Sequence, residues 1–346
     1  MSSKMDALLS EVNKKVKEEI IFKGLASYNY NKIPFTSPRA NYCTYGGVPI
    51  GKVIEFYGAE HGGKTTSALD IAGQFQALER QKAEENKNYS ERDVFYCDVE
   101  NTLDSEWAQK LCVDTDRMYL LQPKTQSAEQ IFNLITDAIE TGEIGLVVLD
   151  SIAAMVSQDE LDKDYDEKSF GGISGPLSRF AKKIEMLCAK YNCTFIGINQ
   201  VRDDVNSTWG GYKTPGGRAW KHICIMRVEF SKGNFIDENG TKLSNNTETP
   251  DGTLINFKVV KNKTCPPDRR IGFYTLNWNG IDYVADLVEV ALRYGLIAEP
   301  TKAWFTIPGI TEDKMHGQGA VSKFLMENQD ALDKLDAMVM EKLSLT

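Results

Sequence analysis

The sequence predicts an α/β protein built on a central, mainly parallel β-sheet. Four short, continuously apolar runs alternate with helical stretches, at residues 53–57, 94–97, 146–149 and 195–198. Continuous rather than alternating apolar strands indicate a sheet that helices cover on both faces. Each run is followed at once by polar or glycine residues, so we expect a ligand site beyond the carboxyl ends of these strands.

The two ends of the chain predict smaller appendages to this core. Apolar residues recur at helical spacing near the start, which predicts an amphipathic helix over residues 5–20. Residues 22–49 contain Pro34 and Pro38 and predict an extended arm, so this helix could dock on its own core or on that of a neighbour. After Asp282 the pattern becomes helical. We therefore expect an N-terminal helix and arm (1–45), a core (46–281) and a small C-terminal domain (282–346).

Composition excludes some classes of protein. No apolar run approaches the roughly 20 residues that span a bilayer, and the first 20 residues are rich in Lys and Glu. We therefore expect a cytoplasmic protein without a membrane partner. The seven cysteines form no C-x-x-C pair, which favours reduced thiols over disulfides or zinc. With a net charge of −9, any site for nucleic acid must be a local basic or backbone-amide surface.

Residues 58–65 match the phosphate-binding pattern G-x-x-x-x-G-K-[ST]. The match lies between the strand at 53–57 and a helix expected to begin near Thr66, which is the context that the pattern requires. Lys64 would reach the β- and γ-phosphate oxygens of ATP, and the Thr65 hydroxyl would bind Mg²⁺. The predicted nucleotide-binding residues here are Gly58, Ala59, Glu60, His61, Gly62, Gly63, Lys64, Thr65 and Thr66.

Two carboxylates follow other predicted strands. Asp150 ends the run Leu-Val-Val-Leu-Asp, an arrangement that holds the Mg²⁺ shell when it accompanies a phosphate loop. Glu100 lies just beyond the strand at 94–97, where a general base could orient a water toward the γ-phosphate. An ordinary exposed loop carboxylate is the other interpretation of Glu100.

These motifs resemble those of a known family, that of bacterial RecA. Six segments occur in the family's order and approximate spacing, over about residues 46–328: Gly-Ala-Glu-His-Gly-Gly-Lys-Thr-Thr (58–66), Asp-Val-Glu-Asn-Thr-Leu-Asp (98–104), Val-Val-Leu-Asp-Ser (147–151), Ile-Asn-Gln-Val-Arg (198–202), Thr-Pro-Gly-Gly (214–217) and Val-Val-Lys-Asn-Lys (259–263). The resemblance implies a RecA-type P-loop ATPase core with a small α/β C-terminal domain.

The resemblance also implies roles for individual residues. Glu100 would be the hydrolytic base, and Gln200 would contact the γ-phosphate and signal its presence to an adjoining DNA loop. Asp104 and Trp107 stand where the family contacts adenine. Lys261 and Lys263 resemble the pair that reaches across the subunit boundary to the neighbour's ATP; on the residues alone they would share one face of a strand, and a solvated basic edge is the alternative.

Two glycine-containing segments, residues 159–175 and 202–217, are predicted to be long structureless loops. In the family both hold single-stranded DNA. The predicted DNA-binding residues are Phe170, Arg179, Arg202, Trp209 and Lys213. The chain departs from the family in a strongly acidic first loop and in Gly175, where bacterial RecA has an arginine that Arg179 would replace. Such divergence around a retained core would fit a bacteriophage-encoded member.

The sequence therefore predicts an ATP-dependent DNA recombinase. It would form helical homopolymers on single-stranded DNA and pair that strand with homologous double-stranded DNA, with DNA-dependent ATP hydrolysis. One alternative is a ring-forming motor on the same core, such as a helicase or a branch-migration ATPase. The Lys-Asn-Lys segment argues against the helicase, and the lack of zinc-finger cysteines and of a protease-like C-terminal domain argues against the branch-migration ATPase. Another is a nucleotide-gated scaffold in which hydrolysis serves only as a timer.

Overall fold

The structure is a computed structural model, and it describes residues 4–16, 30–164, 172–203, 212–238, 240–244 and 246–344. The chain forms two compact units, Met1–Asn31 and Lys32–Thr346. In the first unit, helix α1 spans Lys4–Val16. The predicted helix over residues 5–20 is confirmed as far as Val16, while residues 17–29 lie outside the described residues. The predicted arm is not simply extended where it is described, because Pro38–Thr44 forms a helix between two short strands.

The larger unit contains the other helices and all the strands of the described residues. Its helices are α2 Pro38–Thr44, α3 Lys64–Glu85, α4 Ser105–Lys110, α5 Ala128–Glu140, α6 Gln158–Leu161, α7 Ser174–Tyr191, α8 Gly217–Ile223, α9 Tyr283–Arg293, α10 Gln318–Glu327 and α11 Gln329–Ser344. Its strands are β1 Lys32–Ile33, β2 Val48–Pro49, β3 Val53–Gly58, β4 Asp93–Asp98, β5 Met118–Leu121, β6 Ile144–Asp150, β7 Thr194–Gln200, β8 Arg202–Asp203, β9 Tyr212–Lys213, β10 Met226–Ile236, β11 Gly252–Asn262, β12 Ile271–Asn277, β13 Gly280–Ile281, β14 Ala298–Thr301, β15 Trp304–Ile307 and β16 Thr311–His316.

A nine-stranded sheet forms the core, in the order β13-β12-β11-β10-β3-β7-β6-β4-β5. Six adjacent strands pair in parallel, namely β10, β3, β7, β6, β4 and β5. Beyond β10, the strands β11, β12 and β13 extend the sheet in antiparallel pairing. The four strands predicted from apolar runs are neighbours at its centre. The predicted α/β fold with a mainly parallel sheet is therefore confirmed.

The sheet is apolar on both faces because each face packs against a different layer. Along β6, Leu146 and Val148 belong to a core cluster with α3, whereas Val147 and Leu149 belong to a cluster with α5 and α7. Side chains alternate between the faces of a strand, so both sets of residues must be apolar. This explains why the strand sequences read as continuous apolar runs.

Parallel pairing brings the carboxyl ends of the central strands to one edge of the sheet. Gly58 lies opposite Gln200 on the neighbouring strand, and Asp98 lies opposite Asp150. The segments that follow these strands therefore meet at the same edge, where the sequence predicts the ligand site.

A third apolar cluster lies in the C-terminal part of the chain. It joins α9, α10 and α11 to the three-stranded antiparallel sheet β14-β15-β16 through residues such as Leu287, Ile307, Val321 and Leu335. The helical pattern after Asp282 located these helices but not the three short strands. The boundaries proposed between domains stay a prediction.

The two long loops are more ordered than predicted. In the first, Gln158–Leu161 forms one helical turn because Ser157 and Glu160 make a reciprocal capping box, and α7 already begins at Ser174. In the second, Arg202 pairs with Lys213 in a two-stranded ladder. The prediction of structureless segments was therefore wrong at their ends, while residues 165–171 and 204–211 lie outside the described residues. Across the part of the chain that the structure describes, no helix is both long and apolar enough to cross a membrane.

Candidate nucleotide-binding site

The loop between β3 and α3 needs glycine at particular positions. A Cβ atom on Gly58 would lie 2.0 Å from the carbonyl oxygen of Phe230, so only glycine fits at the point where the loop leaves the strand. Gly63, at the start of α3, has a φ of +87°. Between them, Glu60 and His61 are exposed. The backbone therefore turns tightly around the amino end of a long helix, which is the geometry of an anion site.

The Lys64 ammonium lies within this loop. Its Nζ donates a hydrogen bond to the carbonyl oxygen of Ala59 at 2.6 Å. Burial lowers the pKa of Lys64, and the charges of Asp150, Glu100 and Glu60 act in the opposite direction. A cation enclosed by backbone amides can bind the oxygens of a phosphate group.

Thr65 and Asp150 meet at the edge of the sheet. The Thr65 hydroxyl donates to Asp150 Oδ2 at 2.7 Å, and the hydroxyl of Tyr96 donates to the same oxygen at 3.0 Å. Burial raises the pKa of Asp150 to about 6, against the effect of the two hydrogen bonds. A hydroxyl and a carboxylate in contact provide the hard oxygen ligands that Mg²⁺ prefers, so these residues fit the ion that the sequence predicts.

The Glu100 carboxylate binds groups at the carboxyl ends of β6 and β7. Its Oε1 accepts hydrogen bonds from the hydroxyl of Ser151 at 2.5 Å and from Nε2 of Gln200 at 3.1 Å. Its Oε2 has no hydrogen-bond partner among the residues that the structure describes. The structure thus brings the predicted base and the predicted sensor into direct contact, with one carboxylate oxygen available to a water molecule.

Asp104 and Trp107 lie at the amino end of α4. The carboxylate of Asp104 caps this helix by accepting from the backbone N–H groups of Glu106 and Trp107. The indole Nε1 of Trp107 donates to the hydroxyl of Thr66 at 3.4 Å. Trp107 therefore contacts the end of the phosphate loop, and Asp104 precedes it at the start of the same helix.

A cavity of about 330 Å³ lies against the phosphate loop. It is lined by residues 61–66 on one side and, on the other, by Lys232, Thr253, Ile255 and Leu276 from strands β10 to β12. No sequence pattern indicated this second wall, because its residues are ordinary strand residues far away in the chain. Ser151 and Tyr96 were also missed as site residues, although Ser151 directly follows Asp150.

Lys261 and Lys263 do not line this cavity. Lys261 pairs with Arg227 and its Nζ donates to the carbonyl oxygens of Lys221 and His222, each at 2.9 Å. Lys263 is the first residue after β11, and its backbone N–H still donates to the carbonyl oxygen of Ile225, beside β10, at 3.1 Å. Only Lys261 therefore lies within the strand, and the shared face of the two lysines stays a prediction.

The reason for this strand end is local. The side-chain oxygen of Asn262 accepts from the backbone N–H of Thr264 at 2.9 Å and turns the chain out of the ladder. Burial lowers the pKa of Lys261, and the nearby charge of Lys263 acts in the same direction.

The predicted DNA-binding residues lie on separate segments. Arg179, in α7, is 73% exposed and lies 3.9 Å from a carboxylate oxygen of Glu129. Arg202 and Lys213 face each other across the β8–β9 ladder. Phe170 and Trp209 lie outside the described residues.

Known proteins resemble this chain over most of its length. A family described as the RecA N-terminal domain matches residues 4–282. The chain is 31% identical to "Protein RecA" of Aquifex aeolicus over 99% of its own length and 93% of that protein. It is 33% identical to "Protein RecA" of Thermus thermophilus over 86% of its length and 81% of the relative. It is also 33% identical to "Protein RecA" of Ruminococcus albus over 84% of its length and 67% of the relative.

Proposed function

This chain belongs to the RecA family, and from that premise we propose that it is an ATP-dependent recombinase of DNA recombination and repair. It forms helical filaments on single-stranded DNA and catalyses homologous pairing and strand exchange. The contact of Glu100 with Gln200 supports this proposal best, because it joins the hydrolytic residue to the strand end that precedes the second loop. A nucleotide bound beside this contact can therefore affect Glu100 and the second loop at the same time.

The phosphate loop binds the triphosphate. Lys64 and the backbone N–H groups of Gly58–Thr65 hold the β- and γ-phosphates, while Asp104 and Trp107 contact the base. Thr65 and Asp150 would hold Mg²⁺, and the bound ion would neutralise phosphate charge.

Glu100 carries out the proton transfer of hydrolysis. Its Oε2 accepts a proton from the attacking water as the oxygen bonds to the γ-phosphorus, and the bond to the β-phosphate oxygen breaks. Ser151 continues to hold Oε1. Gln200 exchanges its contact with Glu100 for the γ-phosphate, so the second loop senses whether ATP is intact.

A second copy of the chain completes the site. Lys261 and Lys263 reach the nucleotide of the neighbouring subunit, and the amphipathic helix α1 packs on that subunit. Because both contacts are heterologous, repeating them produces a helical polymer. Arg179, Arg202 and Lys213, together with Phe170 and Trp209, contact DNA within this polymer without reading its sequence.

The proposal is tested with purified protein, circular single-stranded DNA and a homologous linear duplex. We expect joint molecules in the presence of ATP and Mg²⁺, and helical fibres in electron micrographs with a slowly hydrolysed ATP analogue. Glu100→Gln should lower ATP turnover about a hundredfold and still form fibres, because the amide introduced retains an oxygen that can accept from Ser151. Vigorous ATP hydrolysis that is indifferent to single strands, without fibres or joint molecules, would contradict the proposal.

A further inference from the structure

Beneath the nucleotide site lies a wholly buried carboxylate, that of Glu55 on β3. Its Oε1 accepts from Nδ2 of Asn199 at 2.9 Å and from the indole Nε1 of Trp220 at 3.0 Å, and its Oε2 accepts from Arg227. A buried charge is tolerated only with such partners, because it has lost its water. Glu55 therefore binds three separate elements of the core to the strand that enters the phosphate loop.

Asn199 is the branching point of this network. Besides Glu55, its Nδ2 donates to the carbonyl oxygen of Pro215 at 3.0 Å, and its Oδ1 accepts from the backbone N–H of Gln200 at 3.1 Å. One amide group thus contacts the main chain of the predicted sensor and the end of the second loop. We call this set of contacts the Asn199 junction.

Trp220 fixes helix α8 to the same place. Its side chain is fully buried, and its ring lies over β7, where a Cβ atom on Gly197 would be only 2.7 Å from Cζ2 of the indole. The absence of a side chain at Gly197 lets α8 lie directly on the strand that ends in Gln200. Since α8 begins at Gly217, its position sets where the second loop ends.

The other end of α8 contacts Lys261. The carbonyl oxygens of Lys221 and His222, in the last turn, accept from the Lys261 ammonium. A cation is favourable at the carboxyl end of a helix. Helix α8 is therefore attached at one end to the Asn199 junction and at the other to one of the two lysines expected at the subunit boundary.

We propose that Trp220 and Asn199 are positioning residues that make the carboxyl end of the second loop and Lys261 follow the position of Gln200. The inference rests on the proposed function and deepens it, since it names the groups through which nucleotide and DNA affect each other. A packed, fully hydrogen-bonded network transmits a displacement because moving one member alone would leave buried polar groups without partners. The contacts of Trp220 and Asn199 do not touch the nucleotide or the reacting atoms.

The test is the ratio of ATP turnover with and without single-stranded DNA. Trp220→Phe removes the indole N–H and keeps an aromatic ring in the space that the indole fills, so we expect the variant to fold. Turnover without DNA and the KM for ATP should stay within about twofold of the parent, while the stimulation by DNA falls about fivefold. Trp304→Phe, the same change in an indole outside this network, should leave the stimulation unchanged.

Asn199→Ala removes both hydrogen bonds of the amide donor and should reduce the stimulation further. The two changes together should cost less than the product of the separate effects, because both act on the same network. Stimulation equal to that of Trp304→Phe, or an equal loss of turnover with and without DNA, would overturn the inference. If Trp220→Phe unfolds at the assay temperature, the same two outcomes measured with Asn199→Ala test the inference. A parent protein that DNA does not stimulate would instead refute the proposed function.

Discussion

The nucleotide pocket and the cations assigned to DNA and to the neighbouring subunit are built differently. In the pocket, side chains from separate strands bind one another directly, as Thr65 binds Asp150 and Gln200 binds Glu100. The cations lie on separate segments, and Arg179 is largely exposed. The pocket is thus preorganised within one chain, whereas the cations proposed to bind DNA and the neighbouring nucleotide are distributed over several elements.

This difference predicts two kinds of variant. Changes in the pocket should abolish chemistry under all conditions, because preorganised groups act on the reacting atoms. Changes in the cations should matter only when DNA or a second copy of the chain is present. The following predictions test that division, beginning with the largest effect.

Lys64→Ala should lower ATP turnover about a thousandfold, with and without DNA, because it removes the enclosed ammonium from the phosphate loop. Steady-state phosphate release measures the effect. Lys87→Ala, which removes an exposed lysine beyond α3, is the control and should have no effect. If Lys64→Ala hydrolysed ATP at the parental rate, the pocket would be misassigned.

The double variant Lys261→Glu, Lys263→Glu should lower DNA-stimulated turnover about a hundredfold by reversing charge at the subunit boundary. Binding of a fluorescent ATP analogue to dilute, unpolymerised protein should stay unchanged, since neither lysine lines the cavity. Lys258→Glu reverses an exposed charge on the same strand and serves as the control. Normal turnover and fibre growth in the double variant would refute a nucleotide site that a neighbouring subunit completes.

Arg202→Ala should weaken binding to single-stranded DNA several-fold by removing one phosphate contact. The slope of log affinity against log salt concentration should become shallower by about one. Fluorescence anisotropy at several salt concentrations measures it. Arg80→Ala, on α3, should leave the slope unchanged, and the same slope for both variants would exclude Arg202 from the DNA surface.

The last prediction concerns stability rather than activity, through the pH dependence of unfolding that a carboxylate in the helix beside the pocket produces. Burial raises the pKa of Asp70, in α3, from 3.8 to about 7, although Thr36 hydrogen-bonds to it. Between these values the folded chain binds more protons than the unfolded chain, so this group makes the free energy of unfolding increase as pH falls from 7 toward 4. Asp70→Asn should flatten that dependence in urea denaturation at pH 4.5, 6 and 7.5. An unaltered dependence would show that Asp70 is ionised when folded.

The central strands could be predicted from sequence because burial on both faces leaves a continuous apolar run that few other structures produce. The sequence also contains the capping box of Ser157 and Glu160, but the glycine-containing segment that begins at residue 159 was interpreted as a loop. Strand β11 ends at Asn262 because this one side chain accepts a hydrogen bond from the backbone and turns the chain. An alternating strand pattern in the sequence does not indicate such a turn.

By itself, the sequence determined the α/β fold, the phosphate loop and the carboxylates that follow the strands, because local geometry and burial restrict which residues can occupy those positions. Only the tertiary structure decided that Ser151 and Gln200 share one oxygen of Glu100, and that Glu55, Asn199 and Trp220 form one buried network. Hydrogen bonds between residues distant in the chain depend on strand order and register, which leave no local pattern in the sequence.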